Sequence, residues 1–178
     1  MQSLIEKAKK IKLVIFDVDG VLTDGHLYFN EKGVELKAFH VHDGEGIKLL
    51  LRNKIEVAII THHDSPIVLR RMEKLGVEHI FLGEGPKLIT YETLIKKLHF
   101  IDEQVAYLGD DLADLPVIQR VGFGIAPANA TSQIIPYVDW QTRLSGGYGA
   151  AREVCDFILD AQGLTSQIIQ TYLTAHDN

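Results

Sequence analysis

The chain has 178 residues, 46% hydrophobic and 24% charged, with a formal net charge of −6. That length suits one domain whose core needs no disulfide or structural metal, and the composition excludes a disordered chain. The acidic balance excludes a basic footprint for nucleic acid or an anionic membrane, and the single cysteine excludes an internal disulfide.

The opening residues lack a signal-type apolar stretch, and no apolar run is long enough to span a bilayer, so a cytoplasmic protein with no membrane partner is expected. Leu13-Val14-Ile15-Phe16 is a continuous apolar run and reads as a buried strand feeding the loop Asp17-Val18-Asp19-Gly20. From Gly25 to His40 no helical stripe appears. Leu27-Tyr28-Phe29 and Val34-Glu35-Leu36-Lys37-Ala38-Phe39 flank Asn30-Glu31-Lys32-Gly33 and predict a hairpin, apolar enough to pack against something.

A helix is predicted to start near Gly44, with Ile47, Leu50 and Leu51 as its stripe. The strand Val57-Ala58-Ile59-Ile60 ends at Thr61. Ser65-Pro66 then predicts an N-cap and first turn, Leu69, Met72 and Leu75 a stripe, and Gly76 a stop. Further strand runs are His79-Ile80-Phe81-Leu82, Val105-Ala106-Tyr107-Leu108 and Phe123-Gly124-Ile125-Ala126, with a helix on Tyr91, Leu94, Ile95 and Leu98 between the first two. Cys155, in an apparent helix, reads as a small buried hydrophobe.

Strands alternating with helices predict an α/β, Rossmann-like, mostly parallel sheet with helices on both faces. The expected organisation is one unit over 1–178, with a hairpin insert at about 25–40 and a tail at about 164–178. Too few residues separate Asp19 from the helix near Gly44 for a separate cap domain. In such sheets ligands bind at the carboxyl ends of the strands.

The residues suited to chemistry lie there. Asp17 and Asp19 follow the first run, and two carboxylates so close need a cation or a shared proton; Mg²⁺ with oxygen ligands suits a phosphate substrate. Gly109-Asp110-Asp111-Leu112-Ala113-Asp114 adds three acids after a later run. Lys87 is placed to neutralise a phosphate, and the Thr61 hydroxyl to donate to one. Each residue has a plain alternative: an Asx turn at Asp17, a helix N-terminus at Asp111 or Asp114, a surface lysine, a capping threonine.

Their order is more specific than any member. Asp-x-Asp, then Thr, then Lys, then Gly-Asp-Asp-x-x-Asp resembles the haloacid dehalogenase superfamily of phosphatases. Within it, Asp17-Val18-Asp19-Gly20-Val21-Leu22-Thr23-Asp24-Gly25, Leu36-Lys37-Ala38-Phe39, Asp43-Gly44 and Gly146-Gly147-Tyr148-Gly149-Ala150-Ala151-Arg152-Glu153 resemble the 3-deoxy-D-manno-octulosonate 8-phosphate phosphatases, from about Ile11 to Gly163.

The resemblance implies that Asp17 is the nucleophile, forming an aspartyl-phosphate, and that Asp19 is the general acid–base. It implies Mg²⁺ held by Asp17, Asp110 and the backbone carbonyl of Asp19, with Asp111 and Asp114 supporting. Thr61 and Lys87 would bind the phosphoryl group. Asp19, His40, Val41, His42, Asp43, Gly44, Lys48, His63, Arg71 and Lys87 would contact the substrate. It also implies a homotetramer joined through the hairpins, with adjoining subunits completing each pocket, and a role in lipopolysaccharide precursor synthesis.

The chain departs from the family at His42 and His63, where arginine is usual, and at Tyr148, where Arg or Lys is frequent. Two cations suited to a carboxylate are replaced by side chains largely neutral near pH 7. The reaction type is unaffected, but the sugar acid stays open between the octulosonate and, for example, a nonulosonate 9-phosphate. His40, His42, His62 and His63 raise the alternative of a transition-metal site, against which they serve as a polar rim. A receiver domain shares the sheet and the residue types, but carries its phosphorylated Asp after the third strand and its Lys last. A non-catalytic binding subunit is disfavoured by the intact Asp17, Asp19 and Asp110.

Overall fold

Uninterrupted apolar runs a few residues long must be buried on both faces, and this sets the architecture of the computed structural model, which describes residues 2–83 and 85–174. Helix α1 (Gln2–Ala8) precedes β1 (Leu13–Phe16), and a small hairpin of β2 (Tyr28–Phe29) and β3 (Glu35–Leu36) follows. Next come α2 (Val41–Arg52), β4 (Glu56–Ile60), α3 (Pro66–Leu75), β5 (His79–Phe81), α4 (Lys87–Leu98) and β6 (Val105–Leu108). A 3-10 turn at Leu112–Asp114 enters α5 (Leu115–Ile118), and β7 (Phe123–Ala126), β8 (Trp140–Gln141), α6 (Ala150–Ala161) and α7 (Thr165–Thr174) follow among the described residues.

The main sheet has the order β5-β4-β1-β6-β7-β8, and every pair in it is parallel. Strand residues alternate between two cores. Val14, Phe16, Val57, Ile59 and Leu108 join Leu50 of α2, Met72 of α3 and Val154 of α6 on one face. Leu13, Ile15, Ala58, Ile60 and Tyr107 join Leu94 of α4 and Val117 of α5 on the other. The expected α/β architecture is present. The chain runs outward from β1 to β4 and β5, then crosses back through α4 to β6 on the other side of β1. The crevice for a ligand therefore opens beyond the ends of β1 and β6.

Several local expectations are corrected. The hairpin strands are two residues each, and Leu27, Tyr28, Phe29, Val34 and Leu36 are exposed on the single chain. Asn30 tightens the turn, its Oδ1 accepting from the Lys32 and Val34 amides at 2.9 Å each. Helix α2 begins at Val41, so the segment Val41-His42-Asp43-Gly44 is its first turn and not a loop before it. Ser65 occupies the N-cap of α3 without a side-chain cap hydrogen bond, because its hydroxyl donates to Glu35. The tail folds as α7; Ile168 packs on the first core, and positions 175–178 lie outside the described residues.

Candidate active site

Asp17 is the first residue past β1, and its amide donates to the Leu108 carbonyl at 3.0 Å. That bond extends the β1–β6 ladder by one residue and fixes where the side chain emerges. The loop then folds on the Val18 carbonyl, which accepts from the amides of Val21, Leu22 and Thr23. Gly20 has φ +82°, and a Cβ there would lie 2.0 Å from Asp110 Oδ2, so this position needs glycine for its conformation and for room. Asn129 clips the loop from outside: its amide donates to the Gly20 carbonyl at 2.9 Å, and its Oδ1 accepts from the Gly146 amide at 2.6 Å. No local pattern marked Asn129.

The centre of the site is a buried ion cluster. Lys87, the first residue of α4, places Nζ 2.8 Å from Asp17 Oδ2 and 2.7 Å from Asp114 Oδ1. Asp114 is fully buried. Its Oδ1 also accepts from the Tyr107 hydroxyl at 2.7 Å, and its Oδ2 accepts from the amides of Asp110 and Asp111 at 2.9 and 3.2 Å. Asp114 thus organises its neighbours with both oxygens. Burial raises Asp17 from the ordinary 3.8 to about 6, with the Asp114 charge adding to it and Lys87 opposing. Burial, then the Asp17 and Asp114 charges, raises Asp110 to about 7.

Oxygens of Asp17, Asp110 and Asp114 lie within 4.8 Å of one another, and Asp17 Oδ1 is buried without a hydrogen-bond partner. Hard oxygen donors that repel one another and leave an orphaned acceptor fit a divalent cation such as Mg²⁺. Because Asp114 is already occupied by four donors, Asp17 and Asp110 are the better placed to hold the ion.

Asp19 lies beside this centre, partly exposed, and its two oxygens face different groups. Oδ1 accepts from Lys37 Nζ, and Oδ2 is 3.5 Å from His63 Nδ1, which is also 3.6 Å from Glu35 Oε1. The sequence reading placed no role on Lys37 or Glu35; only the hairpin's fold brings them here. Thr61 is buried past the end of β4, where its amide donates to the Phe81 carbonyl at 3.0 Å.

The remaining predicted residues divide. His40 and His42 stack edge to face at 5.0 Å. Asp43 is buried and accepts from the Arg152 amide at 2.8 Å, tying α2 to α6. Arg71 lies over the Phe39 ring, and a Cβ on Gly44 would meet its guanidinium at 2.3 Å. Val41 is exposed, Lys48 pairs with Glu45 on α2 at 3.7 Å, and Asp111 caps the 3-10 turn by accepting from the Leu112 amide. His62 contacts the Gly85 carbonyl at 2.8 Å. Among the described residues only Asp17, Asp110 and Asp114 bring three potential metal ligands together, so the four histidines form no such set. A cavity of about 870 Å³ between α2, α6 and α7 takes in His40, His42 and Tyr148 but none of Asp17, Asp19 and Asp110.

A parallel sheet with a buried Asp past its first strand, ion-paired to a Lys that also meets a second buried Asp, is the frame of a hydrolase class. The chain belongs to the haloacid dehalogenase-like hydrolases, whose family model matches residues 78–152, and groups there with the KdsC proteins. It is 50% identical over 160 residues to 3-deoxy-D-manno-octulosonate 8-phosphate phosphatase KdsC of Escherichia coli (strain K12), covering 90% of this chain and 85% of that one. The crystal structure of a probable YrbI family phosphatase from Pseudomonas syringae superposes with a TM-score of 0.96 at 50% identity, over 99% of this chain and 100% of that one. The 3-deoxy-D-manno-octulosonate 8-phosphate phosphatase of Moraxella catarrhalis, solved with a magnesium ion, a phosphate ion and KDO, gives 0.94 at 44% identity, over 97% and 99%.

Proposed function

We propose that this chain is a Mg²⁺-dependent phosphatase that hydrolyses 3-deoxy-D-manno-octulosonate 8-phosphate to KDO and phosphate. The observation that carries the reading is the state of Asp17: Lys87 holds one carboxylate oxygen, and the other is buried and unpartnered. Asp17 attacks phosphorus, and the leaving sugar oxygen takes a proton from Asp19 as the bond to phosphorus breaks. Asp19 then removes a proton from water, which attacks the aspartyl-phosphate, releases inorganic phosphate and restores Asp17. Lys87 and Thr61 hold the phosphoryl oxygens through charge and hydrogen bonding, which is most of what this transition state requires. Asp17, Asp110 and the Asp19 carbonyl would hold Mg²⁺, which would supply positive charge to offset the acids and the phosphoryl oxygens. Asp111 and Asp114 support this set from behind.

His40, Val41, His42, Asp43, Gly44, Lys48, His63 and Arg71 form the proposed sugar-acid contacts. The same chemistry on another sugar-acid phosphate, such as a nonulosonate 9-phosphate, is the second reading. Both substrates carry a carboxylate and a polyol, and His63, 3.5 Å from Asp19 and 3.6 Å from Glu35, is the rim residue at which a preference between them is tested.

The exposed apolar hairpin supports a homotetramer joined at Leu27, Phe29 and Leu36, with the chain as one unit in each subunit. The same reading puts the enzyme in the cytoplasm, where sedimentation and cell fractionation test these two points. The main test is kcat/KM over a panel of sugar-acid phosphates, with Mg²⁺ and then with chelator. The octulosonate 8-phosphate is expected to lead and to lose turnover on chelation. Undiminished turnover with chelator overturns the metal requirement, and a lead for the nonulosonate selects the second substrate.

A further inference from the structure

The hairpin inverts ordinary burial: its apolar residues Leu27, Phe29 and Leu36 are exposed, while the Lys37 side chain, one residue past β3, is only 2% exposed. A buried ammonium is unfavourable unless its partners compensate it. Here Nζ donates to Asp19 Oδ1 and lies 3.2 Å from Glu35 Oε1. Glu35 is anchored in turn, its Oε2 accepting from Ser65 Oγ at 3.1 Å, a hydroxyl that leaves its own helix uncapped to do so. Burial alone would lower the Lys37 ammonium's affinity for its proton, but Asp19 and Glu35 more than reverse this, and the group stays charged.

We propose that Lys37 is a positioning residue for Asp19: backed by Glu35 and Ser65, it fixes the carboxylate that moves the proton, and so couples the hairpin to turnover. The inference rests on the reading of Asp19 as the acid–base group. Lys37 touches no reacting atom in this role. It confines Asp19 to one orientation, with Oδ1 held from the hairpin side, so that the leaving oxygen and then the water meet the acid–base carboxylate in place.

The test is a double-mutant cycle on kcat and KM with any phosphate ester the wild type turns over. Lys37→Met is expected to lower kcat about 10- to 100-fold, with KM within about threefold. Asp19→Asn is slower still, and adding Lys37→Met to it changes kcat by less than about twofold, because a residue acting through Asp19 has nothing left to act on. Lys37→Arg recovers part of the rate. A wild-type kcat in Lys37→Met overturns the inference, as does a loss that multiplies in the double variant, which marks a general structural role. Should Lys37→Met fail to fold, Glu35→Gln loosens the ammonium more gently. It is expected to cost about three- to tenfold in kcat, an effect absent from the Asp19→Asn background; an effect of the same size there again overturns the proposal. Full-rate turnover by Asp19→Asn, or none by the wild type on any ester, defeats the functional reading itself. Full-rate Lys37→Met beside an impaired Asp19→Asn defeats this inference alone.

Discussion

The acid cluster beyond β1 and β6 and the exposed rim at His42 of α2, His63 past β4 and Tyr148 before α6 are built in opposite ways. Asp17, Lys87 and Asp114 are all below a tenth exposed, and each has a charged partner. His42, His63 and Tyr148 are exposed, with at most loose polar contacts. A buried ionic network tolerates little change, because removing one member leaves another charged and unpaired. An exposed rim can exchange one side chain for another without touching the fold. That contrast marks the buried cluster as the part of the site least free to vary and the exposed rim as the part most free to.

The comparison breaks most decisively at Asp17. Asp17→Asn keeps the shape but loses the attacking oxyanion, so kcat is expected to fall by about 10⁴-fold or more in a Mg²⁺-dependent assay. The thermal midpoint should hold or rise, since the carboxylate that is removed is itself raised by burial. Turnover near the wild-type rate would take Asp17 out of its role. Lys87→Met comes next. It removes the cation between Asp17 and Asp114, and is expected to lower kcat about 10²- to 10³-fold. It should also lower stability in chelator by several kcal/mol, roughly the 3–5 kcal/mol typical of a broken buried pair. Stability unchanged in chelator would show the cluster to be more solvated than its geometry implies.

Metal removal sharpens the same point through pH. The folded protein raises Asp17 to about 6 and Asp110 to about 7, above their ordinary 3.8. The stability linked to these groups is therefore present below pH 4 and lost as pH rises through about 6 to 7. In chelator the melting temperature should be lower at pH 7.5 than at pH 5. Mg²⁺ binds the ionised acids and so should raise it more at pH 7.5 than at pH 5. Asp110→Asn should flatten the chelator profile. An equal Mg²⁺ effect at both pH values would mean that these carboxylates are not the ones the ion meets.

The same division governs how much could be read from the chain. The strands were legible because a doubly covered parallel sheet demands unbroken apolar runs, and Asp17 and Asp110 because one follows its run directly and the other comes one glycine later. Asp114 was legible as an acid but not as the group that arranges Lys87, Tyr107 and the 110–111 backbone, since that depends on α4 reaching across the sheet. Lys37 meets Asp19 from 18 positions away, and Asn129 meets Gly20 from 109, distances at which no periodicity carries information. The hairpin was read too long for a related reason. Inward and outward side chains do alternate from Glu35 to Phe39, but the ladder with β2 covers only Glu35 and Leu36, and beyond it Lys37 is held by the carboxylates of Asp19 and Glu35 instead of by strand pairing.

The smallest effect is expected at the rim. His63→Arg restores a permanent cation with a planar fork of donors, which should lower KM for a carboxylate-bearing sugar phosphate by about three- to tenfold while leaving kcat nearly unchanged. The gain is bounded because Asp19 and Glu35, at 3.5 and 3.6 Å from the His63 ring, compete with substrate for any cation placed there. Measuring kcat and KM separately tells the outcomes apart. An arginine captured by Asp19 would lower kcat without improving KM, since the acid–base carboxylate would be drawn from the leaving oxygen. A raised KM with kcat intact would instead mean that the histidine itself contacts the substrate, and that this rim has been reshaped for a sugar other than the octulosonate.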